Sequence, residues 1–168
     1  MAFTLLPVFG GEGKAPPMNK EKSLLIDYVD PFIGTTNFGT TNPGAVCPNG
    51  MMSVVPFNVM GSADNTYDKD ARWWSTPYEY TNCFFTGYSH VNLSGVGCPE
   101  LGSLLLMPTT GELNVDYKEY GSKYKDEQAS PGYYSNYLTK YNIKTEVSAT
   151  PRTGIALSLI HISEPTRP

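Results

Sequence analysis

The sequence lacks several features that would place it in common classes of protein. Its 168 residues carry 12 Lys and Arg against 16 Asp and Glu, and the basic residues form no cluster. Nucleic-acid binding requires positive charge concentrated on one face, so this balance argues against it. No apolar run approaches the roughly 18 residues that a transmembrane helix needs. We therefore expect a folded, water-soluble chain with no nucleic-acid partner and no transmembrane segment.

Cysteine and histidine are also scarce. The three cysteines, Cys47, Cys83 and Cys98, are an odd number at wide spacing, so they cannot form a complete disulfide framework. Free cysteines are commonly small buried thiols, although one pair could be bridged in an exported protein. The two histidines, His90 and His161, and the lack of a Cys-x-x-Cys pair give little support to a zinc site.

Turn-forming and aromatic residues, in contrast, are plentiful. The 16 Gly and 14 Pro contribute to turn signals that recur about every ten residues, and 12 Tyr, 7 Phe and 2 Trp are also present. Short apolar or alternating runs lie between the turn signals, and no segment has a sustained helical stripe. This pattern is typical of an all-β sandwich or barrel. The best strand predictions are Met51–Val55, Asn82–Phe85, Leu101–Met107, Tyr133–Leu138 and Ile143–Thr150.

The last of these runs alternates most cleanly between two faces. One face carries Ile143, Thr145, Val147 and Ala149, and the intervening residues are Lys144, Glu146 and Ser148. Because successive side chains of a strand point in opposite directions, the two sets are predicted to lie on opposite faces of a strand.

The first 24 residues resemble a remnant of an export signal followed by a linker. Met1–Gly13 contains a short apolar stretch but no preceding positive charge. Gly10 and Gly11 precede Glu12, at the place where a lipoprotein would carry its cysteine. We therefore expect residues 1–24 to lie outside the folded domain.

The C-terminal residues of the chain also differ from the turn-and-strand pattern of its middle part. Ser158–Pro168 resembles the conceptual translation of a sequencing-library adapter. We expect residues 156–168 to be an adapter-derived artefact that follows a domain spanning residues 25–155. The alternative is an ordinary strand, Leu157–Ile162, followed by a Pro-rich tail.

Acidic residues offer only a weak metal motif. Asp64, Asp68 and Asp70 are spaced faintly like a calcium loop. Such a loop needs Gly at its sixth position and Glu at its twelfth, whereas this chain has Lys69 and Ser75 there. A solvated acidic loop is the favoured interpretation. Two further carboxylates, Glu79 and Glu100, are isolated candidates.

Six consecutive blocks carry a family resemblance. The chain resembles glycoside hydrolase family 92 from about Leu25 to Ile155, with the blocks in the same order and at compatible spacing. The blocks are Asp30–Thr35, Asn42–Met51, Gly87–Cys98, Leu104–Glu112, Ala129–Ser135 and Ile143–Arg152.

The resemblance implies a domain organisation and an activity. Members of this family are bacterial exo-acting alpha-mannosidases that invert anomeric configuration and depend on calcium. They have an N-terminal antiparallel β-sandwich followed by a larger helical barrel domain, which carries most catalytic carboxylates and calcium ligands. This chain matches the sandwich alone, so we expect it to contribute no catalytic residue or metal ligand. The implied partners are a mannose-containing glycan and the missing C-terminal helical domain in cis.

The resemblance also implies that the sandwich forms part of a sugar pocket. Sugars bind to aromatic faces and to fixed polar groups, and Trp74 is the predicted stacking residue. His90 is expected to help shape the pocket, while the Gly-rich loop of Ser94, Gly95 and Gly97 would let the backbone approach a ligand closely. The chain departs from the family pattern at Asn92, where a second His is common, which leaves the preferred linkage open.

The family resemblance also implies a cellular location, and the sequence leaves two alternative functions open. Because most family members are exported, the parent protein is expected in the periplasm or at the cell surface of a Gram-negative bacterium. Alternative functions are a free-standing sandwich that binds carbohydrate without cleaving it, or no function for this chain in isolation.

Overall fold

A computed structural model describes residues 24–36, 39–59, 77–92 and 101–160. These residues form two antiparallel sheets, one with strand order β1-β2-β4-β5 and the other with order β3-β6-β7-β8-β9. The predicted all-β antiparallel sandwich is confirmed. The strands are β1 Ala45–Val46, β2 Ser53–Phe57, β3 Phe84–Phe85, β4 Gly87–Asn92, β5 Leu101–Leu106, β6 Ser122–Ser130, β7 Tyr133–Leu138, β8 Ile143–Ala149 and β9 Gly154–Ile160.

Helical structure is minor in the described part of the chain. It consists of a short 3-10 helix at Leu25–Tyr28 and a single α-helical turn, α1, at Tyr117–Tyr120. Asp116 caps this turn, because its side chain accepts a hydrogen bond from the Lys118 backbone N–H. Within the described ranges, no helix has the length and apolar character required to cross a membrane.

The core lies between the two sheets. Val54 and Tyr88 from the four-stranded sheet meet Tyr134, Leu138 and other buried residues of the five-stranded sheet. The predicted alternation of β8 is confirmed at the residues that face this core, since Ile143, Thr145 and Val147 are all buried. The full set of buried core residues is Ala45, Val54, Phe85, Tyr88, Tyr134, Leu138, Ile143 and Val147.

Aromatic rings connect the sheets edge to face. Phe85 and Tyr88 have centroids 4.9 Å apart at an interplanar angle of 68°, and Tyr88 and Tyr134 have centroids 6.1 Å apart. Edge-to-face packing is favourable for aromatic pairs at these separations. The abundance of tyrosine in the sequence is thus partly explained by the core.

The four sheet edges differ in length. β1 and β3, at one edge of each sheet, have two residues each, whereas β5 and β9 have six and seven. β9 pairs with β8 along its whole length, from Gly154 opposite Ala149 to Ile160 opposite Ile143. The boundary predicted at residue 155 therefore lies inside a regular strand.

Two of the three cysteines lie in the described residues. Cys47 is partly buried and Cys83 is exposed, and both are free thiols. Cys98 lies outside the described residues.

Candidate functional site

His90 is the one predicted site residue that the structure describes. It lies in β4, opposite Val54 of β2 and Leu104 of β5, on the face that also carries the buried Tyr88. Its Nδ1 is 3.1 Å from the Leu104 carbonyl oxygen. A carbonyl oxygen accepts hydrogen bonds only, so this contact places a proton on Nδ1. In the neutral ring, Nε2 is then a hydrogen-bond acceptor.

A cavity of about 240 Å³ lies beside His90, between the two sheets. One side is formed by β4 and the end of β5, and the other by β8 and β9. The Tyr88 hydroxyl at this cavity is 2.6 Å from Thr145 Oγ1 and donates to Asn136 Oδ1 at 3.1 Å. The lining residues are Tyr88, His90, Leu106, Met107, Pro108, Thr145, Ala156, Leu157 and Ser158.

The described lining of this cavity is mostly apolar and carries a few polar groups. Its lining offers apolar surface, one imidazole and a few hydroxyl groups, and none of the described lining residues is Asp or Glu. An apolar wall with a few fixed polar groups is typical of a small-molecule site.

The remaining predicted pocket residues lie outside the described residues. These are Trp74, Ser94, Gly95 and Gly97. The residues that flank these two segments are described. Val59 and Pro77, on either side of the segment with Trp74, lie near the start of β4, where Phe57 pairs with Gly87. Asn92 and Leu101, on either side of the Gly-rich loop, pair with each other at the end of β4. The described residues that flank the Trp74 segment and those that flank the Gly-rich loop thus lie at opposite ends of β4, and the roles of Trp74, Ser94, Gly95 and Gly97 stay predictions.

The end of β4 that precedes the Gly-rich loop is firmly held. The Asn92 backbone N–H donates to Ser53 Oγ at 2.8 Å, and Asn92 Oδ1 accepts from Ser89 Oγ at 3.1 Å. Val91, at a register shift in the β4–β5 pairing, has a φ of 58°, which is uncommon for a β-branched residue. This local geometry fixes the direction in which the chain leaves the sheet two residues after His90.

A hydrogen-bond network around the partly buried Glu127 was not predicted from the sequence. The β6–β7 register shifts between Lys125 and Gln128, and Asp126 has a φ of 53°. Such a bulge redirects the side chains of the bulged strand. Glu127 Oε1 accepts hydrogen bonds from the hydroxyls of Tyr134 at 2.6 Å and Tyr78 at 2.9 Å.

Burial perturbs the tyrosines of this network. Desolvation is the largest cause that raises the pKa of Tyr78, Tyr88, Tyr124 and Tyr134 above its usual range. The negative charge of Glu127 raises the pKa of all four further. These hydroxyls are therefore neutral hydrogen-bond donors over the physiological pH range.

Asn58 joins this network to the loop at residues 77–82. Its side chain is fully buried, and the two protons of Nδ2 are shared among three acceptors, the backbone oxygens of Glu79 and Asn82 and the Tyr124 hydroxyl, at 2.9, 3.2 and 2.9 Å. Asn58 Oδ1 accepts from the Glu79 backbone N–H at 2.8 Å. One side chain thus fixes the loop that follows the segment carrying Trp74.

Glu79, an isolated candidate from the sequence, is a structural carboxylate in this arrangement. It is 7% exposed, and its Oε1 accepts from the hydroxyls of Thr36 at 2.9 Å and Thr81 at 3.2 Å. It does not line the cavity beside His90. The other acidic candidates, Glu100, Asp64, Asp68 and Asp70, lie outside the described residues.

The described residues do not fit a calcium site. In the ranges given above, no three side chains of Asp, Glu, His or Cys are grouped so that they could hold a metal ion. Calcium needs six to eight oxygen ligands. No step of a mechanism is therefore assigned to calcium on these residues.

Comparison with known proteins decides the family. Residues 28–157 match the family model described as the glycosyl hydrolase family 92 N-terminal domain. The chain belongs to glycoside hydrolase family 92. The matched range agrees with the resemblance found in the sequence, and the predicted domain of residues 25–155 differs from it by a few residues at each end.

Solved structures of this family share the fold. The family GH92 alpha-mannosidase BT3965 from Bacteroides thetaiotaomicron is 33% identical, with a TM-score of 0.67 over 78% of this chain and 18% of that chain. The family glycosyl hydrolase ccman5 is 30% identical, with a TM-score of 0.61 over 78% of this chain and 18% of that chain. The inverting mannosidase BT2199 from Bacteroides thetaiotaomicron VPI-5482 is 25% identical, with a TM-score of 0.59 over 85% of this chain and 19% of that chain.

The family 92 chain is short beside these relatives. It spans about a fifth of their length, since the matches cover 18% and 19% of their chains. The comparison with curated proteins gives no match.

Proposed function

We propose that this chain is the N-terminal sandwich of an inverting, calcium-dependent alpha-mannosidase that acts on mannose-containing glycans. The observation that carries this proposal is the match of residues 28–157 to the family 92 N-terminal domain. The relatives described as mannosidases support it, including BT3965, which has also been solved in complex with mannoimidazole. The sandwich contributes part of the sugar pocket, and a helical domain in cis contributes the rest.

The chemistry of inversion assigns catalysis to another part of the protein. One carboxylic acid protonates the leaving oxygen, and one carboxylate activates water across the sugar, with the two groups about 6.5–9.5 Å apart. The described residues around His90 include no such pair. In this proposal, the acid, the base and the calcium ligands belong to the helical domain, as the family resemblance implies.

The role proposed for His90 is to orient a sugar hydroxyl. The contact with the Leu104 carbonyl oxygen fixes the ring and leaves Nε2 as an acceptor. Trp74 would stack on the C–H face of the sugar, and the loop of Ser94, Gly95 and Gly97 would approach it through the backbone. In this proposal, the sandwich binds and orients the glycan without transferring a proton in the reaction.

Export is part of the same proposal. An enzyme that degrades external glycans needs access to them, and the apolar stretch in Met1–Gly13 resembles part of a signal segment. The proposed location is the periplasm or cell surface of a Gram-negative bacterium. Fractionation of the native host, with an antibody against the chain, tests the location directly, and a cytoplasmic signal alone would contradict it.

The proposed activity is tested on the polypeptide that results when the gene is read beyond this chain. With calcium, it is expected to release mannose from an alpha-mannobioside, and proton NMR of the first product is expected to show the beta anomer. A chelator should abolish the release, and added calcium should restore it. Initial release of the alpha anomer would contradict inversion, and full activity in the chelator would contradict calcium dependence.

The contribution of His90 is tested in that longer polypeptide with His90→Ala. Loss of one oriented hydrogen bond is expected to lower kcat/KM by about tenfold, which corresponds to about 1.4 kcal/mol. The control is Leu113→Ala, because Leu113 is exposed and lies outside the strands. Unchanged kcat/KM in a folded His90→Ala protein would remove His90 from the pocket.

A further inference from the structure

Gly154 is a glycine that the backbone conformation does not require. It begins β9 and pairs with Ala149 of β8, and it is not one of the described residues whose φ is positive. Ala149 packs against the core and continues the row of β8 residues that face the other sheet, so Gly154 faces that sheet as well. Space, rather than backbone conformation, is therefore the reason to examine for this glycine.

The space in front of Gly154 is occupied by side chains of the four-stranded sheet. A methyl group at Gly154 would lie 2.6 Å from Val54 Cγ2 and 3.4 Å from His90 Cδ2, with Met52 Sδ at 3.6 Å. Carbon atoms in normal contact are about 3.5–4.0 Å apart, so the first of these separations is a clash. Val54 and His90 lie opposite each other in the β2–β4 pairing. The start of β9 thus closes directly on this pair.

The atoms that surround this position have little freedom to move. Val54 is fully buried in the core cluster, and a β-branched side chain has few allowed rotamers. β9 is paired with β8 along its whole length, so its first residue moves only with the strand. A larger residue at position 154 would therefore push β9 away from the four-stranded sheet or displace the His90 ring.

The His90 ring is held at two places. Its Nδ1 is 3.1 Å from the Leu104 carbonyl oxygen, and its Cδ2 lies next to the position that a side chain of residue 154 would fill. In an imidazole, Cδ2 is bonded to Nε2, which is the nitrogen left as an acceptor by the contact with Leu104. The packing at Gly154 thus acts directly beside the atom that was proposed to orient a sugar hydroxyl.

We propose that Gly154 is a positioning residue for His90. Its lack of a side chain lets β9 close against Val54, and this closure holds the ring in the orientation in which Nδ1 donates to Leu104 and Nε2 accepts. The proposal rests on the function proposed for His90, and Gly154 itself contacts no sugar in it. The residues involved lie within residues 28–157, which match the family domain.

Histidine NMR of the 168-residue chain tests the positioning without any sugar. His161→Gln leaves His90 as the one histidine, and the 15N shifts of a neutral ring show which nitrogen carries the proton. The form protonated on Nδ1 should exceed the other about tenfold, because of the hydrogen bond to Leu104. In Gly154→Ala, this ratio should fall at least about threefold, since the displaced ring loses that bond. Ile155→Ala, in the exposed next residue of the same strand, should leave the ratio unchanged.

A second substitution should restore the ring and also covers failure of Gly154→Ala to fold. Val54→Ala removes Cγ2, the atom that the new methyl group would meet first. The double variant Gly154→Ala/Val54→Ala should therefore fold and return the proton ratio to the value of the unsubstituted chain. An unchanged ratio in Gly154→Ala would overturn the proposal. A double variant that does not fold, or that folds with the ratio still low, would overturn it as well.

Kinetics of the longer polypeptide separate this proposal from the function proposed for His90. Gly154→Ala is expected to lower kcat/KM for an alpha-mannobioside by about tenfold, as His90→Ala does, and the two together should cost little more than either alone. If the proton ratio responds but neither variant changes kcat/KM, Gly154 still positions the ring, and the sugar contact of His90 is wrong. A loss in His90→Ala that Gly154→Ala does not share would overturn the positioning role.

Discussion

Raising the pH above about 10 is expected to unfold the family 92 sandwich steeply. Burial raises the pKa of Tyr78, Tyr88, Tyr124 and Tyr134 in the folded chain. The unfolded chain therefore loses these protons near pH 10, while the folded chain keeps them. Above that pH the unfolded state binds fewer protons, so the free energy of unfolding falls as the pH rises.

The expected slope is large because four groups act together. Each tyrosine lowers the free energy of unfolding by about 1.4 kcal/mol per pH unit once the unfolded chain ionises, and four lower it by about 5 kcal/mol per unit. Below pH 10 their contribution is fully present. Since domains are stable by about 5–15 kcal/mol, the alkaline transition should be complete within two or three pH units.

Two spectroscopic signals measured on the same samples test this expectation. Tyrosinate absorbance reports ionisation, and far-ultraviolet circular dichroism reports the sheets. The exposed tyrosines should ionise first without loss of structure, and the four tyrosines with raised pKa should ionise only together with unfolding. In Tyr88→Phe, the slope should fall by about 1.4 kcal/mol per pH unit. Ionisation of all tyrosines with the sheets intact would contradict the buried network.

Asn58→Ala is expected to lower the free energy of unfolding by about 4 kcal/mol. The substitution removes the hydrogen bonds of two N–H donors and one carbonyl acceptor on a fully buried side chain, each worth about 1 kcal/mol, and the partners left unpaired in a desolvated site add about 1 kcal/mol. For a domain of this size, that loss corresponds to a fall in Tm of about 12 °C. The loop at residues 77–82 should lose its order first.

Thermal and urea unfolding of the variant measure this loss. The matched control is Asn114→Ala, because Asn114 is exposed and its side chain accepts a single hydrogen bond, from the Asp116 backbone N–H. Its cost should stay below about 1 kcal/mol. Equal stability losses in the two variants would show that Asn58 does not hold the loop as described.

The sequence predicted most of the strands that carry a clear local pattern. Tyr133–Leu138 was predicted at the bounds observed for β7, and the alternation of β8 follows from one buried face. β6 was not predicted, because Ser122–Ser130 carries Lys123, Lys125 and Asp126 and is mostly exposed. Its place in the sheet is set by β7 and β3, which local propensity does not encode.

The candidate site was predicted through resemblance rather than through chemistry visible in the residues. His90 lines a cavity between the sheets, and its role in shaping a sugar pocket stays a prediction. Asn58 and Glu127 were missed because their partners are distant in the chain. The hydrogen-bond partners of the Asn58 side chain lie 21 to 66 residues away, and those of Glu127 lie 7 and 49 residues away. The abundance of tyrosine was the available signal, but the bulge that brings Glu127 to two tyrosine hydroxyls has no local signature.

The central claim is that this chain belongs to the sugar-binding part of an alpha-mannosidase and that the catalytic pair lies elsewhere in the protein. The most direct measurement is mannose release from an alpha-mannobioside in calcium, by the 168-residue chain alone and by the polypeptide read further along the gene. We expect no release by the chain alone and chelator-sensitive turnover by the longer polypeptide, because inversion requires both carboxylates at once. Chelator-sensitive turnover by the 168-residue chain alone would contradict the account.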